Sequence, residues 1–140
     1  MRMIKFSMIL LLLLVFLTGC SSKEKYLAKE EALAQGSIVL NGTMSENRNR
    51  FDIFLKNVDA GRDDSIKVYI YDLKESHYVI SITYTYDQFE VSSYFMDKES
   101  NISKEVPSRI YTDLIMTSSK NIFLVDRLKV NPDLWIYQYN

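Results

Sequence analysis

The chain has 140 residues, 47% of them hydrophobic and 25% charged, with 17 basic against 18 acidic side chains. That balance excludes a disordered or polybasic chain and suits one domain with an ordinary core. A single cysteine and a single histidine exclude an internal disulfide, a multi-cysteine zinc site and a paired-histidine metal site.

The first residues read MRMIKFSMILLLLLVFLTGC. Arg2 and Lys5 form a positive leader, and residues 8–17 are an unbroken apolar run. A helical span of a bilayer needs about 20 apolar residues, so this run fits the hydrophobic part of an export signal. It ends in Leu17-Thr18-Gly19-Cys20, which resembles the lipobox of bacterial lipoproteins. The resemblance implies that the Cys20 thiol receives a diacylglycerol and that cleavage before it makes Cys20 the first mature residue. Two or more acyl chains hold a protein stably on a membrane where one is marginal. Loss of residues 1–19 removes Arg2 and Lys5 and leaves 15 basic against 18 acidic side chains. No polybasic segment remains to bind nucleic acid or to reinforce contact with anionic lipid. Residues 20–25 (CSSKEK) form a tether that spans at most about 20 Å, so the folded body is expected close to the membrane.

Residues 26–35 (YLAKEEALAQ) are good helix formers, and Gly36 suits the position after a helix end. Residues 37–41 suit a short strand before the turn at Asn41-Gly42. Phe51, Phe54, Leu55 and Val58 recur at helical spacing, with Met44 extending the stripe. Thr43-Met44-Ser45-Glu46 matches a capping box and Gly61 a helix stop, which predicts a helix over about residues 45–60. Everything after Gly61 alternates with period two. Ile66, Val68 and Ile70 alternate with Lys67, Tyr69 and Tyr71. Tyr78, Ile80, Ile82 and Tyr84 oppose Val79, Ser81 and Thr83. Phe89, Val91 and Phe95 share a side. Further runs cover residues 109–116, 121–128 and 134–139. The expected architecture is α+β, with two N-terminal helices packed on a mainly antiparallel sheet of five or six strands. The expected organisation is a signal at 1–19, the lipidated cysteine and tether at 20–25, and one domain over 26–140.

A second resemblance spans residues 30–87. The stretches EEALAQGSIVLNG, RFDIFLKNVDAGRDDSIKVYIYD and ITYTYD resemble a family of small lipoproteins of Gram-positive bacteria that carries a domain of unknown function. Gln35-Gly36-Ser37 stands where that family has Asn-Gly-Asp, and the chain after Tyr94 departs from its pattern. The resemblance implies a fold and a membrane address but no activity.

Catalytic chemistry is sparse. His77 opens a strand opposite the Tyr78/Ile80/Ile82 side and is expected on the surface, without a nucleophile to serve. The carboxylate pairs Glu30-Glu31 and Asp63-Asp64 read as solvated charge. Asp59, Asp63 and Asp64 lack calcium-loop spacing, so no metal is expected. Four glycines without a Gly-Lys-Ser/Thr run leave no phosphate loop and no expected cofactor. Arg48 and Arg50 fall in the first turn of the second helix, where cations oppose the macrodipole, and offer a candidate anion site. Nine of the ten tyrosines lie between Tyr69 and Tyr139. The closing run with Trp135, Tyr137 and Tyr139 is the candidate interface, suited to a partner strand if it forms a sheet edge.

The expected function is a lipid-anchored, extracytoplasmic module that binds rather than catalyses. It would contact membrane lipid through acylated Cys20 and an envelope protein, peptide or polymer, with no nucleic acid. The alternatives are a carboxylate-based envelope hydrolase and a sensor of a small ligand or ion.

Overall fold

The computed structural model describes residues 26–41, 44–71, 76–97 and 103–138. Helix α1 is Lys29–Ala34 and α2 is Arg48–Asp59. The strands are β1 Ile38–Asn41, β2 Met44–Glu46, β3 Asp64–Tyr71, β4 Ser76–Thr85, β5 Gln88–Asp97, β6 Ser103–Tyr111, β7 Asp113–Met116, β8 Asn121–Val125 and β9 Leu134–Gln138. They form a six-stranded sheet in the order β2-β1-β3-β4-β5-β6 and a three-stranded sheet in the order β7-β8-β9. The expected α+β fold with two N-terminal helices on a single sheet is therefore wrong. The described residues are mostly strand, the two helices among them are short and interleaved with the first strands, and the strands divide into two sheets.

Three local causes account for the differences. Met44–Glu46 pairs with β1 instead of starting the helix, and Asn47, left-handed at φ 60°, stands at the N-cap of α2 without a side-chain cap bond, its Nδ2 donating to the Ser37 carbonyl at 3.1 Å. Strand β6 is an edge, so its sequence is polar and lacks alternation. It carries Pro107 at the register shift opposite Val91 and Ser93, where no ladder N–H is needed. The run expected over 109–116 breaks at Thr112. The Thr112 amide donates to the Val125 carbonyl at 3.1 Å, and its hydroxyl accepts from the Arg127 amide at 3.0 Å. These bonds turn the chain from the large sheet into the small one.

Strands β3 to β6 form an antiparallel meander, while β1 lies parallel to β3 with β2 and α2 in the crossover. Phe51 and Phe54 of α2 are fully buried, and Leu55 and Val58 pack beside them, as the helical spacing predicts. Gly61, at φ 63°, ends the helix as Arg62 N–H reaches back to the Asn57 carbonyl at 2.8 Å. Together with Ile122, Leu124, Ile136 and Tyr137 of the small sheet, α2 covers the face carrying Ile66, Val68, Ile80, Ile82 and Val91. We call this the inner face. The outer face is apolar only at one end. There Val39, Tyr69, Val79, Tyr94 and Met96 pack under Leu27 and Ala32. Its other end bears Ser65, Ser81, Thr83, Thr85, Glu90 and Gln88, none of them buried.

The meander thus gives the large sheet two distinct ends. Residue 71, the start of β4, the end of β5 and the start of β6 lie at the end beside Tyr26 and Leu27. The Tyr26 ring packs against His77 at 4.6 Å between centroids, tilted by 47°, and the Tyr71 hydroxyl donates to the Leu27 carbonyl at 2.9 Å. We call this the tether end, because residues 20–25 immediately precede it in sequence. The opposite, distal end holds the close of α2, the β4–β5 turn and the β8–β9 loop.

Candidate functional site

Cys20, the Leu17-Thr18-Gly19-Cys20 motif and Tyr139 lie outside the described residues. Of the candidate anion ligands Arg48 and Arg50, Arg50 is engaged within the fold. The Arg50 guanidinium donates to both Asp64 carboxylate oxygens, at 3.1 and 2.5 Å, and to the Ser65 carbonyl at 2.5 Å. Asn57 adds a bond to Asp64 at 2.8 Å. Burial works to raise the Asp64 pKa, but the bonds from Arg50, Asn57 and the Ser65 amide outweigh it and hold the carboxyl below its usual range. Arg50 is therefore a strut between α2 and β3. The interface expected at Trp135, Tyr137 and Tyr139 is also divided. Tyr137 is core: it stacks on Phe51 at 4.9 Å and donates to Ser45 Oγ at 2.6 Å. Trp135 faces outward and donates to Asn121 Oδ1 at 3.1 Å. Regular alternation would put these two side chains on one face, but the register shift opposite Ile122 and Phe123 interrupts it, so Ile136 and Tyr137 are both buried and Trp135 is left outside.

His77 was expected on the surface and is instead 1% exposed. It lies on the outer face, as its strand parity requires, but the chain before α1 covers that face. Tyr26, Tyr69 and Tyr71 surround its ring at 4.6, 5.4 and 5.1 Å. Neither ring nitrogen has a hydrogen-bond partner, and burial lowers its pKa.

The distal end gathers the features that sequence reasoning missed. The β8–β9 loop is organised by Asp126, which is buried. Its carboxylate accepts from the amides of Leu128, Val130 and Asn131 at 3.0, 3.1 and 3.0 Å, and from Asn131 Nδ2 at 3.3 Å. The Asn131 amide bond leads the contributions that lower its pKa. Asn131 Nδ2 also reaches the Ile110 carbonyl of β6 at 3.0 Å, which fastens the loop to the large sheet. Next to it Arg127 grips Asp113 with two bonds of 2.6 and 2.5 Å. The amides of residues 127–131 all have partners, yet Leu128 is 80% and Val130 78% exposed. A polar loop with Asp126 at one end and Asn131-Pro132 at the other is a legible turn signal. Expecting the strand to run on through Leu128 hid it.

The β4–β5 turn at the same end carries Tyr86 at φ 50° and Asp87 at φ 58°, the pair of left-handed residues that a two-residue hairpin requires. Asp tolerates this conformation, but for Tyr it is strained. Tyr86 is 92% exposed, so its ring gains no packing in return. Asp87 accepts the Tyr84 hydroxyl at 2.8 Å, and that bond, with burial, raises the Tyr84 pKa.

Between this turn, the end of α2 and the start of β7 lies an open cleft of about 260 Å³. Leu55, Val58, Phe89 and Leu114 line it together with Asp59, Asp87 and Asp113. A carboxylate hydrolase needs one of its acids held protonated. Arg127, and then Thr112, instead lower the pKa of Asp113, which keeps it ionised. Among the described residues no three of His, Cys, Asp and Glu come together as metal ligands. Nor is any described helix long and apolar enough to cross a membrane. No protein family, curated protein or solved structure matches this chain.

Proposed function

We propose that this protein is a lipid-anchored, extracytoplasmic binding module that presents its distal end to an envelope protein, peptide or polymer. The address comes from the sequence: the charged leader, the ten-residue apolar run and Leu17-Thr18-Gly19-Cys20. The observation that carries the binding role is the β8–β9 loop, where a buried carboxylate holds the backbone rigid and Leu128 and Val130 stay in water. A fixed loop loses little conformational entropy on docking, so its two exposed aliphatic side chains are pre-organised for an apolar contact. Tyr86 adds a large amphipathic ring at the same end, in a strained backbone that the fold itself does not require of a tyrosine.

The test is a photo-crosslinking amino acid placed at Leu128 and, as a control, at Ile53, an exposed apolar position on α2. In intact cells the Leu128 probe is expected to trap one discrete envelope component that the Ile53 probe does not. Identical products from both positions would end the proposal. In parallel, Cys20→Ser is expected to release the protein from the membrane fraction, and persistence there would remove the anchor.

A further inference from the structure

The tether end has an apolar row that the described chain covers only in part. On the inner face, Ile70, Tyr78 and Phe95 stand directly opposite one another across β3, β4 and β5. Ile70 packs against the edge of the inner core. The rings of Tyr78 and Phe95 meet at 6.2 Å, and both are 40% exposed. On the outer face, at the same level, Tyr71, His77 and Met96 occupy the neighbouring positions, with the Tyr26 ring against His77. The end of the sheet is therefore belted by aromatic residues on both faces. Buried polar bonds organise the distal end; this end is organised by rings.

We propose that this belt is a second membrane contact, in which Tyr78 and Phe95 seat the end of the sheet in the headgroup region of the bilayer that carries the anchor. The proposal rests on the lipid-anchored reading of Cys20. Tyr26 is part of the belt, and only residues 21–25 separate it from the acylated cysteine, a reach of at most about 20 Å. The ten residues of β4 carry the distal end a further ~30 Å away. Of the two ends, only the belted one can rest on the bilayer while the domain stands upright. Tyrosine is favoured at membrane–water interfaces because its ring suits the hydrocarbon boundary and its hydroxyl remains hydrated. The bilayer is thus an occupant that both tether length and side-chain chemistry select. Docking there also fixes the distal loop pointing away from the membrane, which a flexible tether alone does not achieve.

The experiment uses the full chain, purified with its lipid and reconstituted into phosphatidylglycerol–phosphatidylcholine vesicles brominated near the headgroup. The native tryptophan is removed by Trp135→Phe, and single reporters are placed by Phe95→Trp or Leu128→Trp. The tryptophan at 95 is expected to be quenched at least about twofold more than the one at 128. Equal quenching at the two positions, in protein that floats with the vesicles and carries the acyl mass on Cys20, would overturn the membrane contact while leaving the anchor intact. Protein that neither floats nor carries that mass would overturn the anchor, and the contact with it. Should Phe95→Trp fail to fold by circular dichroism, Tyr78→Trp reports on the same row.

Discussion

The two ends of the large sheet solve the same problem by opposite means. At the distal end, backbone and side-chain polar groups find one another. Asp126 takes three amides, Arg127 grips Asp113, and Tyr84 binds Asp87. With the Leu128, Val130 and Asn131 amides held by Asp126, that end leaves Leu128, Val130 and Tyr86 in water, although the buried Tyr111 hydroxyl there has no partner. At the tether end the volume is filled by rings, and it is a polar group that goes unserved: both nitrogens of buried His77 lack partners. The first arrangement is insensitive to what lies in front of it and suits recognition. The second depends on apolar packing and on pH.

The largest effect that sharpens this contrast comes from Tyr69. It is buried at the tether end, with its ring 5.4 Å from His77 and 6.2 Å from Tyr71. Tyr69→Ala leaves a cavity among rings that no polar bond replaces, and is expected to cost about 3–5 kcal/mol. Urea unfolding measures the total. Amide hydrogen exchange is expected to show the loss of protection concentrated in α1 and the start of β4, while the Leu128–Asn131 amides keep theirs. Uniform loss of protection along the chain would show that the ends are not separable units.

Sequence reasoning reached the elements whose pattern is local. The α2 stripe repeats at helical spacing, and β3, β4 and β5 alternate cleanly because each strand has one face in the main core. It failed where the determining partner is distant. Nothing near His77 in sequence announces that Tyr26 will cover it. Nothing at Thr112 announces the Val125 carbonyl that turns the chain. Arg50 at a helix start resembles an anion ligand until β3 brings Asp64 beside it. Strand β6 was invisible because edge strands are polar, with Pro107 tolerated at the bulge. The distal site was hidden for a related reason. Leu128 and Val130 belong to the apolar vocabulary of strands, and only the four bonds to Asp126 lift them out of the sheet.

A smaller effect follows from His77. Its ring titrates below the ordinary histidine value because burial disfavours the charged form. The unfolded chain therefore binds a proton more readily than the folded one between the two pKa values, and stability falls as pH falls. The rings packed around it are those of Tyr26, Tyr69 and Tyr71, and burial raises the pKa of the Tyr71 phenol. The His77 contribution is full above about pH 6.5 and is lost progressively below it. His77→Phe preserves the ring contacts and removes the proton site, so its urea midpoint is expected to fall less than that of the native protein as pH drops through this window. Parallel pH profiles for the two would show that the acid sensitivity of the tether end lies elsewhere.

The smallest expected effect is the one most useful for separating fold from function. Leu128 and Val130 are the most exposed aliphatic side chains at the distal end, and their own contribution to the loop is through amides that bond to Asp126. Leu128→Ser with Val130→Ser keeps those amides and removes only apolar surface already in water. Surface changes of this kind shift stability within about 0.5 kcal/mol, so the unfolding midpoint is expected to stay where it was. Crosslinking from a probe at Tyr86, which the two substitutions do not touch, is expected to lose its product. A midpoint that drops sharply would mean that the two side chains pack against the fold after all. A midpoint that holds while the product survives would move recognition away from this loop. Only the combination of unchanged stability and lost capture assigns the exposed aliphatic pair to a partner, because water offers the native protein no reason to keep it there.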